Sequence, residues 1–416
     1  MRPRTLLLVL AICAAPAMAQ NAATALESVA IQGSLVTQSA ILEIAKLKVG
    51  EVIDKAGIEA ACKRLQESGL FSSISYRYAP GPKKGWALTV VLGDQAPLLG
   101  ATIDVPGADE GEAWRWLAGK FGRFDRQAPQ EDSAQKFLAG QLEGHLAGSL
   151  RGQRLAVRME TDFNTGKSSV SFQPENLPRV QSVTITGNRE LGLAELSAAL
   201  LGVAANQAYT ERSFAAMVEL NLRPLYEEHG LYRVKFVPGE TKWGDAGVSP
   251  AVVITEGDAY RLGKVEVAGD DLPLEAMLAA AKFPGGKLAN WKQIQQGIWD
   301  MEKVVKRTGY FEAAAKPERA YDDVGHVLDL RIHMNKGPLY HFGEVHFAGL
   351  SQDLQDRAMK VWRPKPGDPY DYAYPGEFLQ AFSRVVDLRA NPKCNVVPQK
   401  GAGDHVMDLN LVFAAR

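Results

Sequence analysis

The sequence predicts an α+β chain written as a tandem array of five β-α-α-β-β modules, each a three-stranded mixed sheet covered by two helices. Three observations predict it. A short line of alternating apolar residues that stops at a glycine returns along the chain, as SVTITGNREL from Ser182, KVEVAGDDLP from Lys264 and EVHFAGLSQD from Glu344, with a fainter echo in SVAIQGSLVT from Ser28. The glycines that close these lines, Gly33, Gly107, Gly187, Gly269 and Gly349, follow one another at 74, 80, 82 and 80 residues. Between them the apolar period passes from that of a strand to that of a helix and back, in the same order each time. A repeat of this length exceeds that of the common solenoids and matches a small domain, so each copy is expected to collapse by itself.

The N-terminus stands outside this scheme. MRPRTLLLVLAICAAPAMAQ joins a basic start to an apolar stretch and a small-x-small end at Ala17-Met18-Ala19, the pattern of an export signal cleaved after Ala19. Its apolar core, Thr5 to Ala15, is shorter than the roughly 20 residues of a membrane-spanning helix. Removing Arg2 and Arg4 with residues 1–19 leaves 45 basic against 48 acidic side chains, which gives nucleic acid nothing to bind. Cys62 and Cys394 lie far apart and both read as small apolar residues, not as a disulfide.

The copies take the boundaries 26–97, 98–177, 178–258, 259–339 and 340–416. In the first, the opening strand leads to a helix with Ile41 and Ile44, a second over Ile58 to Leu65 ended near Gly69, and the strands FSSISYRY and WALTVVL. The second is the most degenerate: Ile103 and Val105 open it, Gly140, Gly144 and Gly148 weaken its helices, and a hairpin runs from Val157 and Met159 through Asn164-Thr165-Gly166 to Val170 and Phe172. The third has a strand with Val183 and Ile185, a helix with Leu193, Leu196 and Leu200, and a longer one capped by Thr210 and ended by Gly230. Pro224 inside that helix predicts a kink or an early break.

The fourth copy is the most legible. Leu274, Met277, Leu278 and Ala281 fall at helical spacing, Phe283-Pro284-Gly285-Gly286 interrupts, and Asn290 with Gln293 makes a capping box for a helix burying Ile294, Ile298, Met301 and Val305. HVLDLRIHM then alternates, with Leu328, Leu330 and Ile332 on one side. The fifth copy repeats this with Val345 and Phe347, helices around Leu354 to Val361 and Phe378 to Val385, and the closing strand HVMDLNLVF.

This unit, together with the junctions TEGDAYRLGKVEVAG and NKGPLYHFGEVHFAG and the helix-ending HGLY and TGYF, resembles the polypeptide-transport-associated (POTRA) domain of the Omp85 outer-membrane assembly family. The resemblance covers residues 26–416. It implies a periplasmic, non-enzymatic scaffold or chaperone-like role in outer-membrane protein assembly. The implied partners are unfolded outer-membrane proteins or an outer-membrane barrel or accessory protein, through which the chain would associate peripherally with that membrane. Family members of this kind carry a β-barrel after the last such domain. The chain ends just after the fifth closing strand, so a barrel is not expected in it.

No catalytic pattern competes with this reading. TGKSS at Thr165 lacks the earlier glycine of a phosphate loop and reads as a hairpin turn; no HExxH, GxSxG or CxxC occurs. His326, His333, His341 and His346 crowd together, but at separations that place them on a turn, a strand, a junction and another strand, as surface imidazoles and not as a metal site. No cofactor is expected.

In a β-α-α-β-β unit the last strand pairs with the first on one side and with its hairpin neighbour on the other, which leaves that neighbour at the sheet edge. An edge offers unpaired N–H and C=O groups to which an extended polypeptide adds as another strand, whatever its sequence. The expected binding edges carry Ile74, Tyr76 and Tyr78 in the first copy, Val234 and Phe236 in the third and Val396 in the fifth. The competing reading is that these side chains face their own helices, and that Lys235 and Lys393 keep the edges from aggregating. The alternative function is a passive spacer or a docking arm for one fixed outer-membrane partner.

Overall fold

The structure, a computed structural model, describes residues 24–83, 85–162, 165–244, 246–385, 393–401 and 403–414. The expected export signal, Asn164 of the hairpin turn and the side chain of Lys393 lie outside the described residues. Among those described, the chain is α+β, with eleven helices and several small mixed sheets. It divides into two compact units. The first is the chain up to Thr184 with Leu201–Met217 and Pro238–Ala251; the second is Ile185–Leu200, Val218–Val237 and the chain from Val252 on.

The first unit opens with β1 (Thr24–Gln32), α1 (Gln38–Ala45), β2 (Val52–Ile53), α2 (Lys55–Glu67), β3 (Phe71–Pro80) and β4 (Trp86–Asp94). These strands form a sheet of order β2-β1-β4-β3, in which β4 runs parallel to β1 and antiparallel to β3. Next come β5 (Leu98–Ile103), α3 (Glu110–Phe121), β6 (Gln127–Pro129), α4 (Asp132–His145), α5 (Ala147–Leu150), β7 (Leu155–Thr161) and β8 (Ser168–Pro174), in a sheet of order β6-β5-β8-β7. The two sheets share buried surface. Buried side chains from Leu26 to Phe172, Trp114 and Phe121 among them, form one continuous cluster.

Residues 178–258 supply β9 (Thr184–Thr186), α6 (Leu193–Ala204), α7 (Glu211–Glu228), β10 (Lys235–Pro238), β11 (Lys242–Gly244), β12 (Gly247–Ser249) and β13 (Ala251–Thr255). Their sheets have the orders β10-β13-β9 and β11-β12. Pro224 does not break α7, which is helical from Glu211 to Glu228.

The second unit continues with β14 (Arg261–Ala268), α8 (Leu274–Ala281), α9 (Trp291–Lys306), β15 (Ala314–Asp322) and β16 (Val327–Asn335), in a sheet of order β14-β16-β15. The Asn290 carboxamide accepts from the Gln293 N–H at 2.9 Å, and Ile294, Ile298, Met301 and Val305 are buried as the pattern requires. Of the α8 stripe, Met277 and Ala281 are buried while Leu274 and Leu278 stay exposed. The elements β17 (His341–Ala348), α10 (Gln352–Val361), α11 (Tyr374–Val385), β18 (Lys393–Lys400) and β19 (Val406–Ala414) repeat the plan in the order β17-β19-β18.

Two details recur beyond the expected pattern. The segment between the two helices returns to the first strand as β2 on β1, as β6 on β5, and as the single bridges Arg261 to Leu288 and His341 to Pro369; in residues 178–258 the bridge, Arg179 to Ala208, falls ahead of β9. The first two sheets therefore have four strands, where three were expected. The second detail is a slip in register within the first strand. Between Leu262 and Val265 the Lys264 N–H, left out of the ladder, donates to Asp329 Oδ1 at 2.6 Å; between Phe342 and Val345 the Glu344 N–H donates to Asp408 Oδ1 at 2.7 Å. Gly263 and Gly343 make room, since a Cβ at either would run into the same carboxylate.

Candidate functional site

In the first two sheets the outer side of the first strand is covered by the returning segment, β2 on β1 and β6 on β5; in the β14 and β17 sheets a single bridge meets one end of the first strand. The opposite borders of the sheets, β3, β7, β10, β15 and β18, each have a strand neighbour on one side only in the sheet orders.

Which residues turn their main-chain groups to the open side follows from the ladder, because N–H and C=O alternate sides residue by residue. The Gly81 N–H donates inward to Gly85 at 2.7 Å, so on β3 the outward-facing residues are Ile74, Tyr76, Tyr78 and Pro80. The Gly401 N–H donates inward to Val406 at 2.8 Å, which turns Cys394, Val396, Pro398 and Lys400 outward on β18. On β15 the Ala315 N–H leaves the sheet to donate to Glu302 Oε1 at 2.8 Å, so Ala315, Pro317, Arg319 and Tyr321 face out. By the same reasoning from the Leu155 N–H, which donates to Glu143 Oε1 at 2.8 Å, Val157 and Met159 face out on β7. The inward Gly239 N–H, bonded to Ala251 at 2.8 Å, sets Phe236 and Pro238 outward on β10.

Most residues that turn their backbone to the open side turn their side chains towards the helices; Pro80, Met159, Pro238, Pro398 and Lys400 are exposed instead. Ile74, Tyr76, Tyr78 and Val157 are half-buried against the core of the first unit, and Cys394 and Val396 against that around Phe378 and Phe382. Val234 is buried and precedes β10; its carbonyl accepts from the Arg223 guanidinium at 3.2 Å. Phe236 stands beside the same guanidinium, 5.5 Å from ring centre to Cζ. Ser73, Ser75 and Arg77 alternate with the aromatic residues of β3 and are exposed. The Tyr78 ring meets the Trp86 indole edge-on at 5.0 Å, so the inner side of this border is an aromatic ridge. The expected residues thus lie at three separate borders and do not converge on one pocket. The β7 and β15 borders lie outside the expected set.

Histidines do not assemble into a site. His333 faces Glu318 at 3.2 Å, His346 faces Glu344 at 3.5 Å, and His341 Nδ1 lies 2.8 Å from the Gly367 carbonyl. Among the described residues no group of three or more His, Cys, Asp or Glu is placed to hold a metal ion. No described helix is long and apolar enough to cross a membrane.

No family model matches the chain. The outer membrane protein assembly factor BamA of Nitratidesulfovibrio vulgaris is 22% identical to it over 260 residues, which covers 58% of this chain and 32% of that protein. The chain resembles the POTRA domains of the BamA/Omp85 proteins. Among solved structures, POTRA domains 3–5 of Haemophilus influenzae BamA match 57% of this chain and 96% of their own, at 15% identity and a TM-score of 0.37. POTRA domains 1–3 of the periplasmic domain of Omp85 from Anabaena match 57% and 96%, at 18% identity and a TM-score of 0.26. The chain spans about a third of the length of the BamA protein it matches.

Proposed function

We propose that the chain is a non-enzymatic, periplasmic scaffold of outer-membrane protein assembly that binds unfolded polypeptide by strand addition. The five copies bounded at 26–97, 98–177, 178–258, 259–339 and 340–416 serve as its modules. The observation that carries this reading is the border β3: ten residues long, paired on one side to β4 alone, and backed by the Tyr78 and Trp86 ridge. A strand added there would set one face of alternating apolar residues beside that ridge and the other beside Ser73, Ser75 and Arg77. Spanning strands of barrels alternate in this way over about 9–11 residues, which fits the length of β3. The kinship to an outer membrane protein assembly factor supports the same client class.

The test is to mix the purified chain, carrying a photo-crosslinking residue in place of Arg77, with several urea-unfolded barrel proteins on dilution. Crosslinks to most of them are expected. Crosslinks to none would remove the reading. Capture of a single folded partner in intact cells would instead support the alternative, a docking arm. That alternative draws on the second unit, where Arg307 bridges Asp371 at 3.0 Å and Glu377 at 2.6 Å and Arg319 bridges Glu227, ties suited to a stiff spacer.

A further inference from the structure

The five borders differ in what they offer to an incoming strand. A strand that adds to an edge needs a donor at every second residue, and proline has none. Pro317 and Pro398 stand at outward-facing positions inside β15 and β18, paired with Ile332 and Leu409. Had either stood one residue along, it would have removed a bond from its own sheet; where they stand, the only N–H lost is one that points away from it. On β15 the closure goes further. The Ala315 donor before the proline is taken by Glu302, and after it the Arg319 guanidinium lies 3.5 Å over the Trp291 ring while Tyr321 lies beneath Arg233 at 4.3 Å. On β10 the Val234 carbonyl is taken by Arg223, and Pro238 ends the strand. β3 has no proline before its last residue; β7 has none, and its donor taken by a side chain, that of Leu155, stands at the strand's first residue.

We infer that Pro317 and Pro398 are specificity-determining residues that close the β15 and β18 borders to strand addition and confine an extended polypeptide to β3 and β7. This rests on the proposal that strand addition is the chain's mode of binding. The ligand class is an extended polypeptide of alternating character, held by its main chain.

The test uses the whole chain and a synthetic ten-residue peptide of alternating valine and threonine. A photo-crosslinking residue replaces, one at a time, the exposed Arg77 on β3, Glu318 on β15 or Val397 on β18. In the unaltered background, crosslinking is expected at position 77 and at least ten-fold less at 318 and 397. Pro317→Ala should raise the yield at 318, and Pro398→Ala that at 397, each at least five-fold, with far-ultraviolet circular dichroism unchanged. The two prolines lie in different sheets, so either variant suffices if the other fails to fold. Yields at 318 and 397 equal to that at 77 without substitution, or no gain from either folded variant, would overturn the inference. Gains at 318 and 397 with no crosslinking at 77 would keep the closure by proline and overturn both the confinement to β3 and the proposed binding there.

Discussion

Arg319 and Glu227 are joined by two hydrogen bonds, at 2.9 and 3.3 Å, between the strand β15 and the helix α7. The carboxylate is largely buried and the guanidinium is stacked on Trp291, so the pair has lost most of its water on both sides. Removing one partner leaves the other charge without compensation. Arg319→Ala is expected to lower the stability of the second unit by about 2–3 kcal/mol, read by thermal or denaturant unfolding. A double-mutant cycle with Trp291→Ala should show coupling between the two sites; additivity within about 0.5 kcal/mol would mean that the stacking contributes nothing.

On β3 the alternation of the ladder separates two substitutions that look alike. Tyr78→Pro removes an N–H that faces outward and also the ring against Trp86; relative to Tyr78→Ala it should cost no further stability, with strand acceptance at this border lost. Ser75→Pro removes a donor that bonds to β4 and should cost about 1–3 kcal/mol. Unfolding curves and peptide crosslinking at position 77 distinguish them. Equal destabilisation by both prolines, each measured against alanine at the same position, would mean that the outward assignment is wrong.

The carboxylates that receive the slipped amides should be felt directly. Asp329→Ala leaves the Lys264 N–H without its acceptor, and Asp408→Ala does the same to Glu344. Each is expected to cost about 1–3 kcal/mol in urea unfolding. Asn, which keeps an acceptor oxygen, should recover part of it, and failure of Asn to do so would put the effect elsewhere.

Burial first, and the neighbouring Glu59 second, push the Cys62 thiol up from 9.0 to about 11. Folded protein therefore holds this proton more tightly than unfolded protein. The contribution favours folding below pH 9 and is lost as pH rises towards about 11. At pH 8 a thiol reagent should label Cys62 far more slowly than it labels the urea-unfolded chain. Equal rates would show the thiolate to be accessible in the fold.

Much of this was legible in the sequence because it rests on periodicity. Ile294, Ile298, Met301 and Val305 fell on the buried face of α9, and Leu328, Leu330 and Ile332 on that of β16, since one side of each element has to be dry. The fourth strand of the first two sheets was not legible, because Val52-Ile53 and Gln127–Pro129 are too short for any period to declare them. The shared core of residues 26–172 was hidden for another reason: a buried residue looks the same whether it faces its own module or the next. Of the candidate borders, the strands could be placed, while the state of each main-chain group could not. That depends on which residue faces out, and on side chains that reach over from the preceding helix, Arg223 for Val234 and Glu302 for Ala315. The aspartates in VLDL and VMDL were in view as alternating polar positions, with nothing to mark them as acceptors.

In the first two sheets the return of the inter-helix segment to the first strand, as β2 on β1 and as β6 on β5, leaves one long bare flank, β3 or β7. A sheet with two bare flanks can stack on its own copies without limit and grow into a fibre. One with a single bare flank can meet a like flank only face to face, as a closed pair that offers no site for a third. Self-pairing through β3 or β7 of those two sheets would thereby end at two copies.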